Sequence, residues 1–410
     1  MTSAPVIANP VPRTAWLRLG TIIGAHPIVD AYSGFVPPLL GVLQVRCDLT
    51  GWQTASLLSI GPLTSGLCQP VFAWLSDRID SRFFGPAGLA LAAACLSSIG
   101  LATSFPALVV LFGLGMLGVG AFHPVGAASV GQLAGRRRAA GVTVFFVAGM
   151  LGATVGPVIS SRVTAIEPDG FTWLRWAMVP GLLAAVVLHL AMARVSHRAD
   201  DHHTLRFEPS EIRQRWWTTT LLCAGNALRF SVNIALFYIY VWWAQAVVAG
   251  EGVAGDEIVR VAAIFCGELN ALTMLGMGLG GLVAGTLVRR GRERWWFIVV
   301  PLAFAPLIAL FPTAGRGGGY LLALLAGVGF AAVIPISIAT AQRLLPHRTS
   351  LASSLMMGGP WAISALAPPG AEWLIARAGL GAAFSVAAIL LALSGILGLL
   401  LPGVLLRRLD

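Results

Sequence analysis

Three ionisable side chains lie deep inside long apolar segments of the sequence, where an unpaired charge is costly and usually functional. Asp30 follows Arg18 by 12 residues, which corresponds to about 18 Å at the helical rise of about 1.5 Å per residue. Arg229 lies about 21 Å beyond Arg215, and His123 lies about 20 Å from the arginine cluster that follows its segment. The three side chains are therefore predicted to reach a similar depth.

Asp30 is the residue best suited to bind and release a proton, with His26 and Arg229 as its predicted partners. His26 precedes Asp30 by four residues, so the two share one face of a helix. We expect Arg229 to face Asp30 from an equivalent segment, where Arg229 favours the carboxylate and burial favours the neutral acid. Their separation would then decide whether a proton binds. The alternative is a permanent ion pair that does not titrate.

Other polar residues of the apolar segments are candidates for contact with a small molecule. Arginine and histidine would favour an anionic or polar ligand, and a tryptophan away from the interfaces could stack on a planar one. Ordinary packing is the alternative for His123 and Trp361, and an interfacial position is the alternative for Glu268. The predicted substrate-binding residues are Gln69, His123, Arg229, Asn233, Glu268 and Trp361.

The elements that must position these residues follow from composition. The chain has 410 residues, of which 57% are hydrophobic and 11% charged, whereas a soluble domain carries about 25% charged residues. A membrane-spanning helix needs about 20 mostly apolar residues. We predict an all-α membrane protein with twelve spans in two six-helix halves, at 17–44, 52–75, 83–103, 107–134, 139–161, 174–193, 217–248, 261–287, 295–312, 319–345, 350–371 and 380–405.

The arginines predict the orientation of these spans. The sequence has 27 arginines and no lysine. With twelve spans, 20 arginines fall on the side of the two termini, six fall on the opposite side, and Arg229 lies within a span. Positively charged loops face the cytoplasm, so both termini are predicted to be cytoplasmic. The net charge of +10 therefore indicates membrane topology rather than nucleic-acid binding.

The chain divides at its one long polar segment. We predict a cytoplasmic tail at 1–16, a half at 17–193, a linker at 194–216, a second half at 217–405 and a tail at 406–410. Gly118 and Gly120 recur 209 residues later as Gly327 and Gly329, as expected of an internal repeat. Two duplicated halves predict a substrate site between them. The five cysteines and the linker histidines lack the spacing of a metal site, so we expect neither metal nor cofactor.

Two motifs resemble those of the major facilitator superfamily. The loop that begins at Asp77 and Arg78 is similar to the superfamily's arginine-rich loop after its second helix, and Arg289 and Arg292 lie in the corresponding loop of the second half. The resemblance implies that these four residues hold one conformational state closed through ion pairs. The alternative is that their charges only set the orientation of the spans in the membrane. Gly152, Gly156 and Pro157 resemble the antiporter motif of drug exporters. Close helix packing would explain that motif equally well.

A narrower resemblance involves the first and fourth segments. His26, Asp30 and Pro37-Pro38, together with the His123-Pro124 element, are similar to motifs of the fosmidomycin resistance protein family. That resemblance implies a proton-coupled exporter, acting by alternating access on a small polar or anionic compound or drug. Proton-driven uptake or facilitated passage of a metabolite remains an alternative, as does a non-transporting receptor or scaffold.

The expected partners are a small-molecule substrate, protons and the lipid bilayer, without nucleic acid. We expect a monomer in a bacterial inner membrane. An intramembrane enzyme is not expected, because the spans contain no HExxH motif and no paired midplane carboxylates. A phosphate-binding loop of the GxxxxGK[ST] kind requires lysine, and the chain has none. ATP-driven transport is therefore excluded.

Overall fold

The computed structural model describes residues 13–76, 81–166, 170–192 and 207–408. Within these ranges the chain forms helices and no β-strand. The first half contains α1 (Arg13–Ser33), α2 (Leu40–Arg46), α3 (Gly51–Ser76), α4 (Phe84–Ser97), α5 (Phe105–Leu133), α6 (Arg138–Thr164), α7 (Gly170–Trp176) and α8 (Met178–Ala191). The second half contains α9 (Pro209–Gly250), α10 (Glu257–Leu287), α11 (Glu293–Ile308), α12 (Arg316–Ala331), α13 (Ile334–Leu344), α14 (Thr349–Met356), α15 (Gly358–Ser364), α16 (Ala367–Leu397) and α17 (Gly403–Arg407).

Apolar length explains most of the architecture. Nine helical stretches of the described chain are long and apolar enough to cross a bilayer. One of them, Leu351–Leu400, is broken at Gly379, whose φ of 82° is a conformation that glycine adopts without steric cost. Nine of the twelve predicted spans fall one in each of these nine stretches. Of the other three, one is the helical segment after Gly379, and two are the helices α3 and α4. The count of twelve itself stays a prediction.

Helix α9 begins at Pro209, before the predicted membrane span that starts at 217, so the last part of the predicted linker is helical. The additional turns are polar but well paired. Arg215 forms an ion pair with Glu211 one turn earlier, and its Nη1 donates to the carbonyl oxygens of Arg343 and Leu344. These contacts stabilise turns that apolar length alone did not predict.

The helices pack through a shared apolar core, and the two most extensive interfaces between the halves involve α3 and α6 of the first half. Helix α3 contacts α15, where Gly66 lies against Gly358 and Ala362. Helix α6 contacts α10, where Gly267 lies against the Pro157 carbonyl. Large apolar side chains cover the outside of the bundle, as expected of a surface in contact with lipid.

Long-range contacts distinguish two ends of the bundle. At the end that carries the start of α1, here called the terminal end, Arg18 donates to the Ala191 and Met192 carbonyls. At the other, here called the opposite end, Arg46 donates to the Gly100 carbonyl. The predicted cytoplasmic side corresponds to the terminal end.

Candidate functional site

Asp30 lies between two histidines in the interior of the first half. Its Oδ2 is 3.2 Å from His26 Nε2 and its Oδ1 is 3.1 Å from His123 Nε2. The contact with His26 confirms the shared helix face predicted from the four-residue spacing. His123 comes from α5, so the fold adds a second histidine that was predicted to bind substrate. These three residues are called the histidine–aspartate cluster below.

Backbone carbonyls hold both imidazole rings in place. His26 Nδ1 lies 2.7 Å from the Phe145 carbonyl oxygen, and His123 Nδ1 lies 2.8 Å from the Val119 carbonyl oxygen. A carbonyl oxygen can only accept, so each Nδ1 carries the donated hydrogen. Each Nε2 is therefore the ring nitrogen that faces Asp30.

Helix α6 covers the cluster with apolar groups. The Phe145 ring stacks on His26 at 3.8 Å between centroids. A Cβ atom on Gly149 would lie 2.5 Å from Asp30 Oδ2 and 2.6 Å from His26 Nε2, so only glycine permits this approach of α6. As a result His26 is 1% exposed, whereas the His123 side chain is 22% exposed.

The cluster is also the one group of metal-ligand type among the described residues, with its ligand atoms within 4.8 Å of one another. It offers three protein ligands, one short of the four of a closed zinc site. The sequence-based expectation of no metal stays a prediction.

Arg229 does not form the anticipated contact with Asp30. No described carboxylate lies within ion-pair distance of its guanidinium, and its Nη2 donates to Asn226 Oδ1 at 2.6 Å. The side chain folds back along its own helix toward Gly225 and Phe297, inside the second half. Arg229 is therefore not paired with Asp30 in this structure, because equal depth does not fix the direction in which a side chain points. Their pairing in one of the two access states stays a prediction.

A buried polar group surrounds Arg229. Asn226 Nδ2 donates to Ser337 Oγ at 2.8 Å and to the Met356 carbonyl oxygen at 2.9 Å. One turn beyond Arg229, both amide atoms of Asn233 are buried without a partner, as is Arg229 Nε. Buried polar groups are normally paired. The binding roles predicted for Arg229 and Asn233 stay predictions.

Gln69 and Trp361 lie at the interface of α3 and α15, close to Gly66. Gln69 Nε2 donates to Ser65 Oγ at 3.1 Å. Trp361 packs edge-on against Phe230, with ring centroids 5.0 Å apart. Both residues are partly buried between the halves, where a substrate site was predicted, and their roles in binding stay predictions.

Glu268 has a different environment from the predicted one. Its Oε1 lies 2.6 Å from Arg162 Nη2 across the two halves, and Tyr320 donates to its Oε2. Both oxygens of its carboxylate are therefore occupied at the opposite end, which makes Glu268 part of an inter-half bridge rather than a free binding group. Arg162 and Tyr320 were not predicted as functional residues, because their distance along the chain from Glu268 gave no signal of this contact.

The antiporter-like motif lies where α6 crosses α1. Gly152 and Gly156 approach the backbone carbonyls of Pro27 and Ala31 so closely that a Cβ atom would collide with them. Pro157 packs against Gly34 on the same side. Close packing therefore accounts for these small residues. The predicted gating residues Arg289 and Arg292 are exposed at the terminal end, while Asp77 and Arg78 lie outside the described residues.

A sequence model of the family described as Major Facilitator Superfamily matches residues 28–359. The chain belongs to the major facilitator superfamily. It is thus a multi-pass membrane transporter with the superfamily's all-α fold, and not an enzyme. The coarse prediction of family and fold is confirmed.

Relatives within the superfamily agree with this assignment. The chain is 25% identical over 353 residues to the fosmidomycin resistance protein of Escherichia coli (strain K12), which covers 84% of this chain and 83% of that protein. It is 23% identical over 401 residues to the uncharacterized MFS-type transporter YfnC of Bacillus subtilis (strain 168), covering 95% and 94%.

Solved structures share the fold. A bacterial homolog of the human lysosomal transporter Spinster, inward-facing and unoccupied, superposes with a TM-score of 0.70 at 16% identity, covering 98% of both chains. A POT family transporter in complex with 5-aminolevulinic acid gives 0.72 at 15% identity, covering 96% of both chains. At these identities the comparison establishes the fold alone.

Proposed function

We propose that this member of the major facilitator superfamily is a proton-coupled antiporter, which exports a small polar or anionic organic compound by alternating access. The chain works as a monomer in a bacterial inner membrane, with both termini in the cytoplasm. The terminal end then faces the cytoplasm, in keeping with the arginine distribution.

The histidine–aspartate cluster carries the proposal. A carboxylate between two imidazoles, enclosed by Phe145 and Gly149, can change its proton content without a large change in structure. Ionisable groups at this depth are retained for function because their burial is costly. Asp30 and His26 thus keep their predicted coupling role. His123 joins them, and Arg229 acts on the substrate instead.

Arg229 supports an anionic or polar substrate. Its guanidinium is 1% exposed and lacks a described carboxylate partner, so an anionic group of the ligand would supply the missing charge. The unpartnered amide of Asn233 would add a hydrogen bond. Binding requires that rocking of the halves opens a path to this position from the interface where Gln69 and Trp361 lie.

The contacts between the halves fit alternating access. At the opposite end, Arg162 bridges to Glu268, and the Tyr238 hydroxyl, which donates to Glu372, lies 3.3 Å from the Gly51 carbonyl oxygen of the first half. These bonds hold that end closed and must break when it opens. The predicted counterpart at the terminal end consists of Asp77, Arg78, Arg289 and Arg292, whose ion pairs would hold the cytoplasmic end closed in the other state.

Export is favoured over uptake by one relative. One relative is named a fosmidomycin resistance protein, and resistance to a drug is commonly achieved by exporting the drug. The small-residue motif at Gly152, Gly156 and Pro157 is compatible with antiport. A non-transporting receptor is disfavoured by membership in a family of transporters.

A flux assay in sealed proteoliposomes tests this function and its direction. Purified protein is reconstituted, the membrane potential is clamped with potassium and valinomycin, and a panel of fully ionised anions, zwitterions and neutral compounds is supplied outside. An antiporter accumulates its substrate when the lumen is acidic, because protons leave as substrate enters. This reading does not depend on the orientation of the protein in the vesicle.

The same assay distinguishes the alternatives. Accumulation in vesicles with an alkaline lumen would indicate proton-driven uptake, and equilibration without accumulation would indicate facilitated passage. Protein-free vesicles control for weak acids that cross the bilayer unaided. Neither accumulation nor equilibration across the whole panel would contradict the proposed transport function.

A further inference from the structure

The two histidines of the histidine–aspartate cluster differ in exposure. The His26 side chain is 1% exposed and is closed in by the Phe145 ring and by Gly149. The His123 side chain is 22% exposed. The open side of the cluster is therefore the His123 side, from which a proton would reach Asp30, while His26 occupies the sealed side.

The two rings are also anchored to different parts of the molecule. His123 Nδ1 bonds to the Val119 carbonyl of its own helix, one turn earlier. His26 Nδ1 bonds instead to the Phe145 carbonyl of α6, 119 residues away in the sequence. His123 therefore moves with α5 alone, whereas His26 links α1 and Asp30 to α6.

Helix α6 connects this anchor to the second half. Met150, next to Gly149, contacts Gly278 of α10, and further along α6 the Pro157 carbonyl contacts Gly267. Rocking of the second half against the first must therefore act on α6. Any shift of α6 acts on the His26 ring through the Phe145 carbonyl, and so changes how that ring faces Asp30.

We infer that the two histidines divide the work at Asp30: His123 exchanges the proton, and His26 is a positioning residue that links Asp30 to helix α6. This inference rests on the proposed function. It reassigns His123 from substrate binding to the proton path. It also explains why His26 Nε2 lies 3.2 Å from Asp30 Oδ2 yet has no well-aligned hydrogen bond, since its orientation is set by the carbonyl on the other side of the ring.

The surroundings contain few groups that could titrate in place of His123. The residues of α6 that face the cluster are Phe145, Phe146 and Gly149. The described helices that pack on α1 or α5 otherwise carry the following titratable residues: Cys68 on α3, Cys95 on α4, His189 on α8, and Arg138 and Arg162 at the ends of α6. Of these, the His189 ring packs against Phe83, and Arg162 forms an ion pair with Glu268. Both side chains therefore have partners outside the cluster.

Substitution by asparagine or glutamine tests the two nitrogens of an imidazole ring separately. The amide nitrogen of asparagine lies near the position of histidine Nδ1, and that of glutamine lies near the position of Nε2. His26→Asn thus keeps a donor for the Phe145 carbonyl, whereas His26→Gln removes it. His123→Gln keeps a polar group beside Asp30 but cannot accept a proton near neutral pH.

The first measurement is pH-driven flux in proteoliposomes for the three variants. His26→Asn should retain more pH-driven flux than His26→Gln, because it keeps the donor to the Phe145 carbonyl, and His26→Gln should shift the pH profile of the flux. His123→Gln should lower flux by about a hundredfold or more, the usual effect of losing a proton-transfer group. Full flux in His123→Gln together with loss in His26→Asn would overturn the division of roles.

The second measurement does not require transport. Histidine-selective ¹⁵N labelling of the protein in detergent gives signals from seven histidines, and the variants assign two of them. Between about pH 4 and about pH 9 the His123 ring should convert from imidazolium to the neutral form. A His123 ring whose signals do not change over this range would overturn the inference. Wild-type protein without proton-driven flux would contradict the proposed function instead, and the two failures are thus distinguishable.

Discussion

Glu268→Gln is expected to loosen the closure of the opposite end. The Glu268 carboxylate accepts one hydrogen bond from Arg162 of the first half and one from Tyr320 of its own half. It therefore forms a charged bridge between the two halves. Glutamine keeps the shape of the side chain but removes the charge and one acceptor oxygen. The state in which this end is open should therefore gain population.

The magnitude follows from the exposure of the pair. The Arg162 and Glu268 side chains are 61% and 23% exposed, so water screens much of their attraction. Exposed ion pairs contribute about 0.2–1 kcal/mol, and the additional bond from Tyr320 favours the upper part of that range. About 1 kcal/mol corresponds to about a fivefold change in the equilibrium between the closed and open states. About 1 M salt should reduce the effect.

Pulsed electron spin resonance can measure this population directly. Spin labels on Ile166→Cys and Ala254→Cys, two exposed positions at the opposite end in different halves, report the separation of the halves. The five native cysteines are replaced beforehand. Glu268→Gln and Arg162→Gln should each increase the long-distance fraction, and the double variant should show no further increase, because both remove the same interaction.

Glu251→Gln provides a matched control. Glu251 pairs with Arg316 at the same end, but both residues belong to the second half. The hydrogen bond from Arg316 lowers the pKa of the Glu251 carboxyl, so this pair stays ionised at neutral pH and loses its charge only in acid. Removing it should leave the distance distribution unchanged. Equal effects of Glu251→Gln and Glu268→Gln, or no effect of either, would refute the assignment of Glu268 to an inter-half bridge.

Three further outcomes are expected. Gly156→Ala should lower thermal stability in detergent by roughly 1–3 kcal/mol through overpacking against α1, whereas Gly285→Ala, with open space around it, should be neutral or slightly stabilising. Arg229→Gln should abolish binding of an anionic substrate identified in the flux assay, and retained affinity in a direct binding measurement would remove Arg229 from the site. A membrane-impermeant thiol reagent added to sealed cells should label Ala254→Cys and not His203→Cys, and labelling at 203 would invert the proposed orientation.

The helices were predictable because the length of the apolar segments and the arginine-rich loops between them are local signals in the sequence. They predicted the long spans and the break near Gly379. The helical turns between Pro209 and 217 were not predicted, because they depend on contacts of Arg215 with Glu211 and with distant carbonyls. The contact with Glu211 spans only four residues, but the carbonyls of Arg343 and Leu344 lie 128 and 129 residues away, outside any window of neighbouring residues.

The candidate site was only partly predictable. Helical spacing predicted the contact of His26 with Asp30, because residues four apart share a face. Depth along the helices indicated that His123 and Arg229 reach the same level, but depth says nothing about rotation. The fold turned His123 toward Asp30 and turned Arg229 into the second half. The pairing of Glu268 with Arg162 joins residues 106 apart, which sequence spacing could not indicate.

The central claim is that Asp30 couples protons to transport, and Asp30→Asn tests it most directly. Asparagine has nearly the volume of the protonated acid but cannot exchange a proton. Two fluxes are measured for one substrate in the same vesicles: exchange at equal pH, and accumulation driven by an acidic lumen. We expect the variant to retain exchange and to lose accumulation. Accumulation by Asp30→Asn at the wild-type level would contradict the account.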